Sequence, residues 1–111
     1  MTHTMNLNNE PFIMIKSKIK TVEMRLNDEK RSIIKVDDTI IFTNNVTGEK
    51  LTVIVTDIKK YDDFVSLYKD YSPDEIGYKT GEKVDPSDME LYYSKEKISQ
   101  YGTLAIRVLV V

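Results

Sequence analysis

Lys18-Ile19-Lys20-Thr21-Val22-Glu23-Met24-Arg25-Leu26, KIKTVEMRL, is the stretch on which the reading of the fold turns. From Thr21 to Leu26 it alternates as a strand does, with Val22, Met24 and Leu26 on one side and Thr21, Glu23 and Arg25 on the other. The alternation sets a carboxylate beside a guanidinium, just after the lysines Lys18 and Lys20. Two readings are open. Either the charged face meets water, where opposite charges stabilise each other by at most about 1 kcal/mol, or it lines a pocket for a polar ligand.

The pocket reading has definite chemistry. A neighbouring arginine holds a carboxylate ionised. The arginine fork suits a phosphate or a carbonyl edge. A partly buried lysine at the strand mouth, here Lys20, is able to lose its proton and act as base or nucleophile. Together the three side chains suit a polar heterocycle or its phosphate.

Composition narrows the classes. The chain has 111 residues, enough for one domain with one modest core, so residues 1–111 are expected to form a single domain. No apolar run approaches the roughly 20 residues that cross a bilayer, so no membrane partner is expected. The opening MTHTMNLNNE has neither a basic nor an apolar signal region. The absence of cysteine excludes disulfides, thiolate zinc sites and a cysteine nucleophile. A reducing, cytoplasmic setting is the default expectation. A net charge of −2 argues against a general duplex binder, since such proteins carry a basic surplus. Any grip on a nucleotide must be local.

Reading outward, residues 4–7 form a short strand. Asn8 or Asn9 caps a helix with Pro11 in its first turn. Phe12, Ile15 and Ile19 give that helix an apolar stripe, widened by Ile13. Residues 27–35 are a charged connection. Residues 38–43 form a strand, 44–48 a turn, and 51–58 a long β-branched strand. Asp62 caps a short helix carrying Phe64, Leu67 and Tyr68. The polar stretch 71–85, YSPDEIGYKTGEKVD, is a long loop of the kind that makes lids or binding surfaces. Asp85-Pro86 opens another helix with Met89, Tyr92 and Tyr93 on its apolar face, and Gly102 ends the run. Ser94-Lys95 reads as a helix cap with its first turn. The final stretch, TLAIRVLVV, is apolar on both faces except for Arg107, as an internal strand is. Five to six strands with two to three short helices, and no regular crossovers, predict an α+β fold built on a small mixed or antiparallel β-barrel.

The order of these features resembles the ASCH domain family, of the small bacterial type, within the PUA-like superfamily of small β-barrels. Its signature is Gly-x-Lys-x-x-Glu-x-Arg, running from the end of the first helix into the next strand. Lys20, Glu23 and Arg25 sit where the signature places lysine, glutamate and arginine, and Lys18 stands in place of the glycine. The surroundings are also similar: His3, Met5 and Leu7; Pro11-Phe12; residues 27–31, NDEKR; the strand LTVIVTDI; Tyr61 and Phe64; Gly77-Tyr78; Met89 and Leu91-Tyr92-Tyr93-Ser94; Tyr101-Gly102. Where family members often have Gly-Asp, this chain has Asp37-Asp38.

The resemblance implies a cleft under the first helix, edged by Lys20, Glu23 and Arg25, and a partner that is RNA, a nucleotide or a modified nucleoside. On that reading Arg25 contacts phosphate or orients Glu23, Glu23 accepts from a base amino group, and Lys20 contacts phosphate or a carbonyl. Tyr78, beside Gly77, is the tyrosine expected to face the ligand. Some small bacterial relatives of this fold hydrolyse N4-acetylcytidine with a lysine, a threonine and a glutamate. Lys20 matches the lysine, Glu23 replaces the threonine, and Glu82 falls about where the glutamate does. An ionised Glu23 cannot donate a proton, which argues against simple transfer of that activity. The alternatives are therefore a small amidohydrolase or ribonuclease using Lys20 with Glu23 or Glu82, and a regulatory adaptor that binds a protein through the 71–85 loop. His3 is the only histidine and reads as a structural or surface residue, and no metal, cofactor or phosphate-binding glycine loop is expected. Helical spacing places Tyr68 and Tyr92 in the core. The oligomeric state is not legible.

Overall fold

The computed structural model describes residues 1–111. Five strands, β1 (Thr2–Leu7), β2 (Val22–Leu26), β3 (Thr39–Asn44), β4 (Lys50–Tyr61) and β5 (Thr103–Val110), form one sheet in the order β1-β3-β4-β5-β2. β1 runs parallel to β3, and every other pairing is antiparallel. Three α-helices, α1 (Asn9–Lys16), α2 (Phe64–Lys69) and α3 (Lys95–Tyr101), and a 3-10 turn at Pro86–Leu91 flank it. The expected α+β architecture is present as a curled half-barrel.

The curl originates in β4. Residues 50–54 pair with β3 and residues 53–61 with β5, with a register shift against β5 between Val55 and Asp57. Such a bulge bends a strand and increases its twist. The bend brings the two edge strands toward each other, and the Arg25 Nη2 of β2 donates to the Asn6 carbonyl of β1 at 3.0 Å. A side chain, not a backbone ladder, spans that gap.

Two apolar clusters hold the sheet. On the concave side, Phe12 and Ile15 of α1 plug against Ile40, Phe42, Val53, Leu104 and Ile106. Full burial of side chains of that size stabilises by about 2 kcal/mol each. On the other side, Val22 and Met24 pack with Phe64, Leu67, Tyr68 and Met89. β2 is thus covered on both faces. β5 lies between β4 and β2, as its two apolar faces predict.

Local expectations fail where elements end early. α1 stops at Lys16, so Ile19 lies beyond it and is 53% exposed; Ile13 is 52% exposed, and Met14 is buried instead. Asp63, not Asp62, caps α2 by accepting from the Ser66 N–H at 2.8 Å. The run after Asp85-Pro86 is two elements, because Ser94 starts α3 by capping the Lys97 N–H. The break leaves Tyr92 exposed rather than in the core.

Candidate functional site

The site begins with the way α1 ends. Lys18 adopts a left-handed φ of 67°. The Ile19 N–H returns to the Met14 carbonyl and the Lys18 N–H to the Ile15 carbonyl, each at 3.0 Å, the pairing of a Schellman motif. The Lys20 N–H reaches the Met14 carbonyl as well, at 3.1 Å. This tight turn drives Lys20 inward just before β2. The Thr21 and Val22 N–H groups then donate to the Glu75 carbonyl at 3.0 and 2.9 Å. The 71–85 loop is thereby stitched to the start of β2.

The register of β2 against β5 decides where the charges go. Glu23 lies opposite Ile106 and Arg25 opposite Leu104, both members of the concave core. The charged face of the strand therefore points into the half-barrel, not into water. Lys20 is only 8% exposed and Glu23 3%. The Lys20 Nζ lies 2.9 Å from Glu23 Oε1. Arg25 approaches the other oxygen with two nitrogens, Nη2 at 2.7 Å and Nε at 2.8 Å.

Burial alone would raise the Glu23 pKa, but the combined pull of Lys20 and Arg25 outweighs it and holds the carboxyl at about 2. Glu23 is therefore ionised across the physiological range. Burial also works against the Arg25 charge, yet Glu23 and then Tyr93 raise its pKa further. The glutamate binds two cations, and its remaining capacity to accept is small. At so low a pKa it is a poor general base.

These three side chains lie on the wall of a cavity of about 500 Å³. A pocket of that size suits a small ligand. Met14 and Pro11 of α1, Met24 of β2, and Met89, Tyr92 and Tyr93 supply apolar surface. Ile76, Gly77 and Tyr78 bring the 71–85 loop to the wall, while Asn6, Asn8 and Asn45 contribute carboxamides. Tyr78 and Tyr68 meet edge to face at 5.9 Å, with their hydroxyls 2.9 Å apart. The Tyr78 hydroxyl also reaches Asp88 Oδ2 at 2.7 Å. Burial and these hydrogen bonds push its pKa up, so it stays a neutral phenol.

Lys20, Glu23, Arg25 and Tyr78 are thus brought to one cavity. Glu82 also borders it, but it is exposed and accepts from the Lys79 N–H instead of meeting Lys20. Lys20 has three donors and one protein partner, Glu23. Two N–H groups of a buried ammonium are left for an acceptor in the cavity. Sequence reading did not assign the carboxamides of Asn6, Asn8 and Asn45 or the rim residue Leu91 to this cavity. No local pattern marks them, because they come from three separate segments.

Elsewhere, His3 Nε2 contacts Asp38 Oδ2 at 2.8 Å, and the Lys35 N–H donates to the same oxygen at 3.0 Å. With the N-terminal amine, these partners hold the Asp38 pKa at about 2. This cluster ties β1 to the segment leading into β3. A larger groove of about 1120 Å³, between α2, α3 and the 3-10 turn, contains none of the signature residues. No group of three His, Cys, Asp or Glu side chains converges as metal ligands, and no helix is long and apolar enough to cross a membrane.

Residues 5–111 match the ASCH domain. The chain belongs to the ASCH domain family. Two solved structures of similar proteins share the fold over its whole length. The crystal structure of the hypothetical protein PH0355 superposes with a TM-score of 0.84 at 29% identity, covering 100% of both chains. The solution structure of protein PF0455 from Pyrococcus furiosus gives 0.78 at 30% identity, covering 100% of this chain and 98% of that one. No curated protein matches the chain.

Two positions of the backbone are unusual. Lys18 and Asp37 are the only non-glycine residues with positive φ, 67° and 76°. A left-handed φ is costly for a residue with a side chain, so both turns hold strain that glycine would not.

Proposed function

We propose that this ASCH domain binds a polar nucleobase, carried by a nucleotide, a modified nucleoside or a short single-stranded RNA element. The observation that carries the reading is the Lys20 ammonium, buried on the cavity wall with one carboxylate partner and two unused N–H groups. A buried donor without an acceptor costs about 1–3 kcal/mol, and a ligand carbonyl or phosphate oxygen relieves that cost. Glu23 fixes the two cations in place, and Lys20 and Arg25 face the ligand. Tyr78, Tyr92 and Tyr93 give flat apolar surface against which a base can lie. The cavity has room for one nucleoside unit, so a longer RNA would enter by a single base. ASCH domains share a PUA-like fold often linked to RNA binding, which supports the same reading.

Titration of the native protein with nucleosides, nucleotides and a short RNA, followed by amide chemical shifts, tests this. Shifts centred on Lys20, Glu23, Gly77 and Tyr93 are expected. Shifts confined to the groove between α2 and α3, or none at all, overturn it.

The 2.9 Å Lys20–Glu23 contact also favours a second reading, hydrolysis of an acylated cytidine. Water would add across the amide to give cytidine and a carboxylic acid. Glu23 held at about 2 is a weak base for that step, so binding is the better reading. Release of cytidine from N4-acetylcytidine, abolished by Lys20→Met, would reverse the order.

A further inference from the structure

The charges around the same cavity say which form of ligand it accepts, an inference that rests on the binding proposal above. Six formally charged side chains line it: Lys20 and Arg25 against Glu10, Glu23, Glu82 and Asp88. Lys20 and Arg25 share Glu23, so the buried floor carries a single net positive charge. The other three carboxylates are exposed and ring the mouth: Glu10 at the start of α1, Glu82 in the 71–85 loop, Asp88 in the 3-10 turn. Lys79 offsets one of them by pairing with Glu10 at 2.9 Å. The mouth still holds more negative than positive charge. The remaining polar groups on the walls, carboxamides and phenols, are neutral.

A phosphate monoester carries between one and two negative charges near neutral pH. At the floor it would lose its water in exchange for one net positive charge, with buried Glu23 close by. At the mouth it would meet like charge. A neutral carbonyl incurs neither cost, since the two unused N–H groups of Lys20 satisfy it. Asn6, Asn8 and Asn45 can pair with a base edge or a ribose hydroxyl without any charge. We infer that the cavity selects an uncharged nucleoside, entering base first, over the corresponding nucleotide, with Glu10 and Glu82 turning phosphate away at the rim.

Calorimetric titration of the native chain tests this with cytidine, uridine, adenosine and guanosine, each against its 5′-monophosphate, and with a single-stranded RNA hexamer. At least one nucleoside is expected to bind about tenfold more tightly than its monophosphate at low ionic strength. The gap should narrow at 0.5 M salt, because exposed rim charges are screened. The Glu10→Gln/Glu82→Gln variant should narrow it at low salt too. A monophosphate that binds as tightly as its nucleoside overturns the inference and leaves the nucleobase reading standing. Binding of the hexamer alone does the same. If no probe binds, both fall.

Discussion

A Cβ built on Gly77 would stand 3.0 Å from the Cδ of Lys20, with the Lys20 ammonium at 3.5 Å. The loop glycine is thus the wall against which the buried lysine lies. Its φ of 107° is also one that side chains rarely adopt. Gly77→Ala is therefore expected to cost about 2 kcal/mol from backbone strain alone. It should also move the Lys20 amine within the cavity. Urea denaturation reads the first effect; weakened nucleoside binding, measured at a temperature where the variant remains folded, reads the second.

Removing one member of the ionic centre should be worse than removing all three. Glu23→Leu leaves Lys20 and Arg25 as two buried like charges with no carboxylate between them, and about 3 kcal/mol of stability should be lost. Lys20→Met/Glu23→Leu/Arg25→Met leaves no buried charge, and most of that loss should be recovered. The triple variant should fold and bind no ligand. Thermal melts of the two variants beside the native chain decide the point. A triple variant less stable than the single one would mean that the centre contributes net stability.

Acid should unfold the protein through Glu23. Its pKa falls from 4.5 to about 2 on folding, because the attraction of Lys20 and Arg25 overcomes the burial that opposes it. A depressed carboxylate stabilises the fold above its unfolded pKa and loses that contribution as pH drops toward the folded one. About 3 kcal/mol should therefore disappear between pH 4.5 and pH 2. Asp38, lowered to about 2 by its hydrogen bond from His3 and by the Lys35 N–H, titrates over a similar window. Denaturation midpoints across that range should flatten in Glu23→Gln and only partly in Asp38→Asn.

Placing glycine at the two left-handed positions, Lys18 and Asp37, should stabilise. A left-handed residue with a side chain costs about 1–2 kcal/mol, and glycine returns part of this as entropy of the unfolded chain. Lys18→Gly should thus gain about 0.5–1 kcal/mol, a rise of several degrees in Tm for a domain of this size. Asp37→Gly should gain less, since aspartate tolerates the left-handed region better than lysine does. Equal or reversed gains would point to a stabilising contact made by Lys18.

Much of this was legible in KIKTVEMRL. Its alternation correctly places Glu23 and Arg25 on one face, and its resemblance to the ASCH pattern gives the family and an α+β fold on a small barrel-like sheet, which the structure shows as a half-barrel. Whether that face meets water or the interior was not legible, because the answer lies in the register of β2 against β5, some eighty residues away. The same limit applies to the parallel pairing of β1 with β3, to the His3–Asp38 contact, and to the packing of the 71–85 loop onto Lys20. Periodicity misplaced Ile13 and Ile19, since a helix of eight residues is too short for a stripe to override where the chain turns. Tyr92 was misread for the opposite reason: the helix expected to bury it breaks just before Ser94.

Arg25 has one more effect through its hydrogen bond to the Asn6 carbonyl. The first and second strands share no ladder, so the guanidinium fastens one edge of the sheet to the other. Whatever pulls Arg25 toward the cavity slackens that fastening, and whatever locks it tightens it. Deuterium uptake along residues 2–7 then becomes a remote gauge of whether the cavity is filled, readable without any label on the ligand.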